Sequence, residues 1–156
     1  MLPSTRSRVI NNTAAYLNER IYYQTEKRIA DCIRGGRTAI DRRLMELERE
    51  WDIERALEAN AATFALIGLT LGATVHRRWF LLPGAVAGFL LQHALQGWCP
   101  PLEWLRRFGF RTSGEIERER YALKAARGDF DAVPNWRDRD EKSYANAVLE
   151  AVTLQP

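Results

Sequence analysis

The sequence predicts an all-α fold: a two-helix transmembrane hairpin flanked by amphipathic cytosolic and interfacial helices. Three observations carry this. Between Ala59 and Pro101 the only formal charges are Arg77 and Arg78. The apolar arms on either side, about 59–75 and 80–98, are each near the short end of the roughly 17–25 residues a membrane-crossing helix needs. The flanking segments are dense in Arg, Glu and Asp and show apolar residues at helical spacing. The chain therefore divides into an N-terminal amphipathic helical arm (1–57), the transmembrane helical hairpin (58–101) and a C-terminal interfacial and helical tail (102–156).

At 156 residues the length suits a single domain. Net charge is +3, and acids accompany nearly every basic cluster, which argues against a nucleic-acid partner. The two cysteines, Cys32 and Cys99, form no disulfide framework and no Cys/His metal-ligand spacing. The first residues, Met1-Leu2-Pro3-Ser4-Thr5-Arg6, contain no apolar signal-peptide core, so insertion falls to the internal hairpin.

In the N-terminal arm, residues 1–11 read as a loose end. From Asn12 or Thr13, Leu17, Ile21, Ile29 and Cys32 recur at helical spacing, and Gly35-Gly36 should stop that helix. Thr38 is placed to cap a second helix with the stripe Ile40, Leu44, Leu47 and Trp51. Residues 52–58 hold no breaker, so the helix entering the hairpin should start before the membrane.

Each hairpin arm carries two glycines one turn apart, Gly68 with Gly72 and Gly84 with Gly88, a spacing that lets backbones approach closely. Folding the chain at Arg77-Arg78 sets Gly72 near Pro83 and Gly84, and Gly68 near Ala87 and Gly88. The same fold gathers a polar belt, Asn60, Thr63, Gln92, His93 and Gln96, whose side chains should bond between helices. His93 is also an ionisable group at the membrane edge, where a proton or ligand site is a sharper alternative. Trp79 and Trp98 bracket the second arm as interfacial anchors, and Pro100-Pro101 should stop its helix.

In the tail, Trp104, Arg106 and Arg107 lie in a short segment of interfacial composition. Thr112-Ser113-Gly114-Glu115 is a capping-box pattern that should open a helix ending at Gly128. Residues 129–142, with Pro134, read as a loop. Ser143 is placed to cap a last helix through Ala145, Val148, Leu149 and Val152.

Gly97-Trp98-Cys99-Pro100, followed by Leu102, Leu105, Gly109 and Thr112, resembles the end of the small bacterial membrane domains called DUF2892, or YgaP-type. The likeness covers roughly Asn60 to Thr112 and implies an apolar helical hairpin in a bacterial inner membrane. Pro101 departs from the family, which more often has an apolar residue there. The rhodanese domain fused to some members is absent here, so no sulfurtransferase activity carries over.

The leading expectation is a small non-enzymatic integral membrane protein. Its hairpin anchors charged arms for a protein partner or for homo-oligomerisation, in the lipid bilayer of the bacterial inner membrane. The surplus of arginines at the terminal side puts both termini in the cytoplasm. No catalytic motif, cofactor loop or metal cluster is present in the sequence. An accessory subunit of a respiratory or photosynthetic membrane complex is one alternative, and a soluble helical bundle burying 59–98 is another. A third is a thiol- or sulfur-handling membrane protein using Cys99 as a possible reactive thiol. Against that third reading, Cys99 is expected at a helix C-terminus, where the dipole disfavours thiolate. His93, six residues back and about 240° round a helix, should face away from it.

Overall fold

A computed structural model describes residues 4, 6–131, 133 and 140–153. Eight helices are found among them: α1 (Arg8–Asn11), α2 (Ala15–Arg34), α3 (Arg37–Arg49), α4 (Ile53–Thr74), α5 (Leu81–Gln96), α6 (Pro100–Arg107), α7 (Ser113–Arg127) and α8 (Glu141–Thr153). A 3-10 turn over Arg77–Phe80 joins α4 to α5. The described residues contain no strand. They form two compact units: Met1–Tyr23 with Trp51–Glu115, and Gln24–Glu50 with Ile116–Pro156. This division differs from the three consecutive segments expected above.

The second unit has a core of Ile40, Leu44 and Leu47 from α3 against Ile116 and Leu123 from α7, with Ile29 and Cys32 beside them. The stripe predicted on α3 is therefore its buried face, except at Trp51. That residue lies beyond the helix, is 46 % exposed, and stacks under the Arg55 guanidinium at 4.5 Å. Gly36, at φ 74°, precedes α3 and takes the capping position expected of Thr38. A glycine there turns the chain without steric cost, so the second helix starts two residues earlier. Glu119, fully buried, accepts from Arg43 Nε at 2.8 Å, and Arg127 binds Asp129 at 2.6 Å. Gly128, at φ 88°, closes α7 as expected. Asp140, not Ser143, caps α8, because its carboxylate accepts the Ser143 N–H at 3.0 Å. Pro134 lies outside the described residues.

The first unit holds the hairpin. Residues 8–11 are not a loose end: they form α1, and Val9 is buried with Ile53, Leu57, Cys99 and Leu102. Asp52 interrupts the chain before α4 and caps it, accepting the Arg55 N–H at 2.8 Å. α3 and α4 are thus separate helices, and α4 does begin before the apolar run. Pro100 and Pro101 do not end a helix but start one, occupying the first two positions of α6. Those positions suit proline, since their amides have no intrahelical partner. α5 has already been ended by Gly97, left-handed at φ 79°.

The capping box at Thr112 forms as read: Thr112 N–H donates to Glu115 Oε2 at 2.8 Å, and Glu115 N–H to Thr112 Oγ1 at 3.2 Å. Arg106, expected as an interfacial anchor, is 1 % exposed. It forks onto Glu115 at 2.6 and 2.9 Å, and also donates to Asn18 Oδ1 at 2.7 Å and Phe110 O at 3.1 Å. Four acceptors facing a planar guanidinium explain why this arginine is inside.

Among the described residues one stretch, Arg37–Thr74, contains a window long and apolar enough to cross a membrane, and 22 % of that window is buried. α5 has 16 residues, about 24 Å of helix against a hydrocarbon core of about 30 Å.

Candidate functional site

The two arms of the hairpin pack, but in a different register from the one expected. A methyl group added at Gly68 would meet Pro83 Cδ at 2.5 Å, and one at Gly72 would meet the Phe80 ring at 2.7 Å. Nothing lies within 4 Å of the same position at Gly84 or Gly88. One glycine face is at the contact and the other looks outward. The cause is the place of the bend. His76 Nδ1 accepts the Arg78 N–H at 3.1 Å and starts the 3-10 turn, so the chain folds back near His76. Moving the pivot by about two residues slides the register by about a turn. Phe80 and Pro83 then fill the hollows that Gly84 and Gly88 were expected to meet.

The polar belt does not bond across the arms as predicted. Asn60 Nδ2 donates to Ala56 O at 2.8 Å and Thr63 Oγ1 to Ala59 O at 2.7 Å, each within its own helix. Gln92 is half-buried. The Gln96 carbonyl accepts Asn12 Nδ2 at 2.9 Å. Back-bonding to the preceding turn is available without any partner helix, and short polar side chains take it. Trp79, Trp98, Trp104 and Arg107 are exposed, with Arg107 over the Trp104 ring at 5.5 Å.

His93 is the exception in that belt. It is 3 % exposed, and its Nε2 stands 2.9 Å from Glu54 Oε2. Arg8 holds the other carboxylate oxygen at 3.2 Å and also donates to Ala94 O at 3.0 Å. The Glu54 carboxyl is held below its ordinary value of 4.5 by the hydrogen bond to His93, helped by Arg8 and opposed by burial. An ionised carboxylate only accepts, so His93 donates to it from Nε2. Nδ1 is buried and has no hydrogen-bond partner.

The helical-wheel relation expected between His93 and Cys99 does not hold, because no continuous helix joins them. Gly97 is the physical reason. Its left-handed backbone ends α5, and Cys99 is extended at φ −154°, so the angle of a continuous helix does not apply between His93 and Cys99. Gly97 also admits α1: a methyl group there would come within 2.6 Å of the Arg8 carbonyl carbon. Cys99 is itself the residue preceding α6, at the positive end of that helix and not at a C-terminus.

The thiol also borders a cavity of about 580 Å³ between α4, α5 and α6. Phe64, Val86, Phe89, Leu90 and Trp104 supply apolar walls, with the amide of Asn60 among them. Glu54 and Arg8 were missed in the sequence because the belt was traced only from Asn60 onward. Glu54 lies on the same helix, less than two turns earlier, and an acid just outside an apolar arm opposite a histidine was the available signal. Among the described residues no group of three or more His, Cys, Asp or Glu is arranged to hold a metal ion.

No family model, curated protein or solved structure matches this chain. The likeness to DUF2892 domains therefore rests on the Gly97–Pro100 run, the following Leu102, Leu105, Gly109 and Thr112, and their apolar context alone.

Proposed function

We propose that this chain is a small integral membrane protein whose α4–α5 hairpin inserts in a lipid bilayer and anchors the charged helices beside it. The observation that carries the reading is the exposure of the hairpin's apolar side chains. Leu66 is 65 % exposed and Leu91 62 %, and Phe64, Leu69, Phe89 and Leu95 are exposed with them. A contiguous apolar surface of this kind is unfavourable in water and marks a membrane or protein contact. A soluble bundle burying 59–98 would have covered it.

The uncharged part of each arm gives about 24 Å of helix. That length fits a hairpin that thins the bilayer locally, with Arg77 and Arg78 extending to the far headgroups. The count of arginines on the terminal side favours cytoplasmic termini. The outward face at Gly84 and Gly88 favours a second reading within the same placement: a neighbouring helix, from a partner subunit or another copy, seated on α5.

Alkaline extraction of membranes from expressing cells tests insertion. The chain is expected in the pellet, and release to the supernatant overturns the proposal. Labelling an Arg77→Cys variant in intact cells with a membrane-impermeant maleimide separates a crossing from a one-leaflet insertion. A crossing hairpin is labelled from outside.

A further inference from the structure

We propose that the cavity between α4, α5 and α6 holds one acyl chain of a phospholipid with a zwitterionic, ethanolamine-type head, and that the Glu103–Arg107 pair on α6 receives that head. The inference rests on the membrane placement above and names the lipid that the hairpin keeps.

The cavity is a trough between two helix faces. α5 supplies Leu82, Val86 and Leu90, and α4 supplies Leu57, Ala61 and Phe64. Spacings of three and four put each set on one face of its helix. Leu82 to Leu90 is about 12 Å of helix, so the trough runs along the arms, in the direction a lipid chain takes. α6 stands at its terminal end, where Leu102 packs with Leu57. The volume, about 580 Å³, falls within the roughly 300–1,000 Å³ of small-ligand sites. Phe64, Leu90 and Trp104 line the trough and are still exposed, so the chain's own side chains do not fill it.

The walls select an alkyl chain. The amide nitrogen of Asn60 already donates to Ala56 O at 2.8 Å, and Pro100 and Pro101 bring no backbone N–H. A sugar or phosphate inside the trough would lose its hydrogen bonds to water without replacement.

The head is selected by α6. Trp104 is both a wall of the trough and the ring under Arg107, whose guanidinium stands 5.5 Å from its centroid. Arg107 Nη2 donates to Glu103 Oε1 at 2.8 Å, and both side chains are about half exposed. An exposed pair one turn apart is weak and opens readily. A purely anionic head would meet Arg107 but be repelled by Glu103 beside it. A head with a phosphate and an ammonium matches both: the phosphate takes the guanidinium fork and the ammonium donates to the carboxylate. Choline carries the same charges but has no N–H to donate, whereas an ethanolamine ammonium, like that of lysine, has three. The exposed rings of Trp98, Trp104 and Phe108 belong to the same segment and suit the level of lipid heads.

Native mass spectrometry of the full-length chain, released from detergent micelles, tests this with dioleoyl phosphatidylethanolamine, phosphatidylglycerol and phosphatidylcholine. The ethanolamine lipid is expected as a single saturable adduct, held up to about fivefold more tightly than either of the others, the worth of one exposed ion pair. Glycerophosphoethanolamine, the head without its chains, should not bind. Val86→Phe and Ala61→Phe fill the trough from opposite walls, and each should lose the adduct with all three lipids while keeping wild-type helicity by circular dichroism. The exposed pair gives variants that leave the hairpin packing untouched: Arg107→Gln should weaken all three lipids, and Glu103→Gln should abolish only the preference for ethanolamine. The inference is overturned if no saturable adduct forms, if the three heads bind equally, if the preference survives Glu103→Gln, or if both filled variants bind lipid as wild type does. It is also overturned if the trough seats a second copy instead, seen as a dimer that Val86→Phe dissociates. Alkaline extraction keeps the two readings apart. A chain retained in the pellet but without an adduct removes this inference alone, and a chain released to the supernatant removes the placement and this inference together.

Discussion

His93 and Glu54, 39 residues apart in the chain, meet at 2.9 Å where the hairpin leaves its charged surroundings. The contact ties the end of α5 to the start of α4, and Arg8 joins it from α1. Replacing Glu54 by Ala removes the acceptor of a buried imidazole N–H. An unsatisfied buried polar group costs about 1–3 kcal/mol. Glu54→Ala is expected to lose that much in denaturant unfolding in detergent, and Glu54→Gln, which keeps an acceptor, less.

The glycines give a comparison within one hairpin. Gly68→Ala and Gly72→Ala force a methyl group into Pro83 and the Phe80 ring, and overpacking of this kind costs roughly 1–3 kcal/mol. Gly84→Ala and Gly88→Ala enter open space, and within a helix the exchange is favourable by roughly 0.5–1 kcal/mol. The two pairs should shift the unfolding midpoint in opposite directions. If α5 packs on another subunit through its outer face, Gly84→Ala and Gly88→Ala should also weaken the oligomer in cross-linking.

These glycines also mark how far the sequence could be read. The helical content, the apolar hairpin, the buried stripe Ile40-Leu44-Leu47 and the Thr112 capping box follow from local spacing and composition, and all are legible in the chain. The register of the hairpin was not, because it depends on a 3-10 turn set by one ring nitrogen of His76. The site was half legible. His93 and Cys99 were both singled out, yet a single left-handed glycine between them ends the helix on which their expected relation was drawn. Glu54 and Arg8 come from distant segments, and no periodicity announces that kind of pairing.

Arg106 should tolerate no conservative exchange. Breaking a buried ion pair from one side costs about 3–5 kcal/mol, so Arg106→Ala is expected to lose most of the first unit's stability. Arg106→Lys retains the charge but cannot reach Glu115, Asn18 and Phe110 together. Amide hydrogen exchange across α6 should rise in both variants, and further in the alanine one.

Acid should loosen the chain through three carboxyls: Glu54, described above, and two more. Burial pushes Glu115 up, but the fork from Arg106 and the Thr112 amide outweigh it and hold the group below its ordinary 4.5. Asp129 is held below 3.8 by Arg127, against burial. A carboxyl lowered in the folded state stabilises that state above its unfolded value, and the contribution fades as pH falls through the folded value. Unfolding midpoints should therefore be level from neutral pH down to about 5 and drop below about 4. In Glu115→Gln the acid-dependent drop should be smaller, with lower stability at neutral pH.

The close seat of Arg8 against Gly97 has a consequence for how the protein is made. α1 leaves the ribosome early, but its resting place does not exist until nearly ninety more residues have been synthesised and the hairpin has doubled back. The N-terminal turn must therefore wait, and its arrival latches a structure whose oily part is already complete. A bulky fusion placed directly before Ser7 would hinder that last closure while leaving the earlier steps untouched.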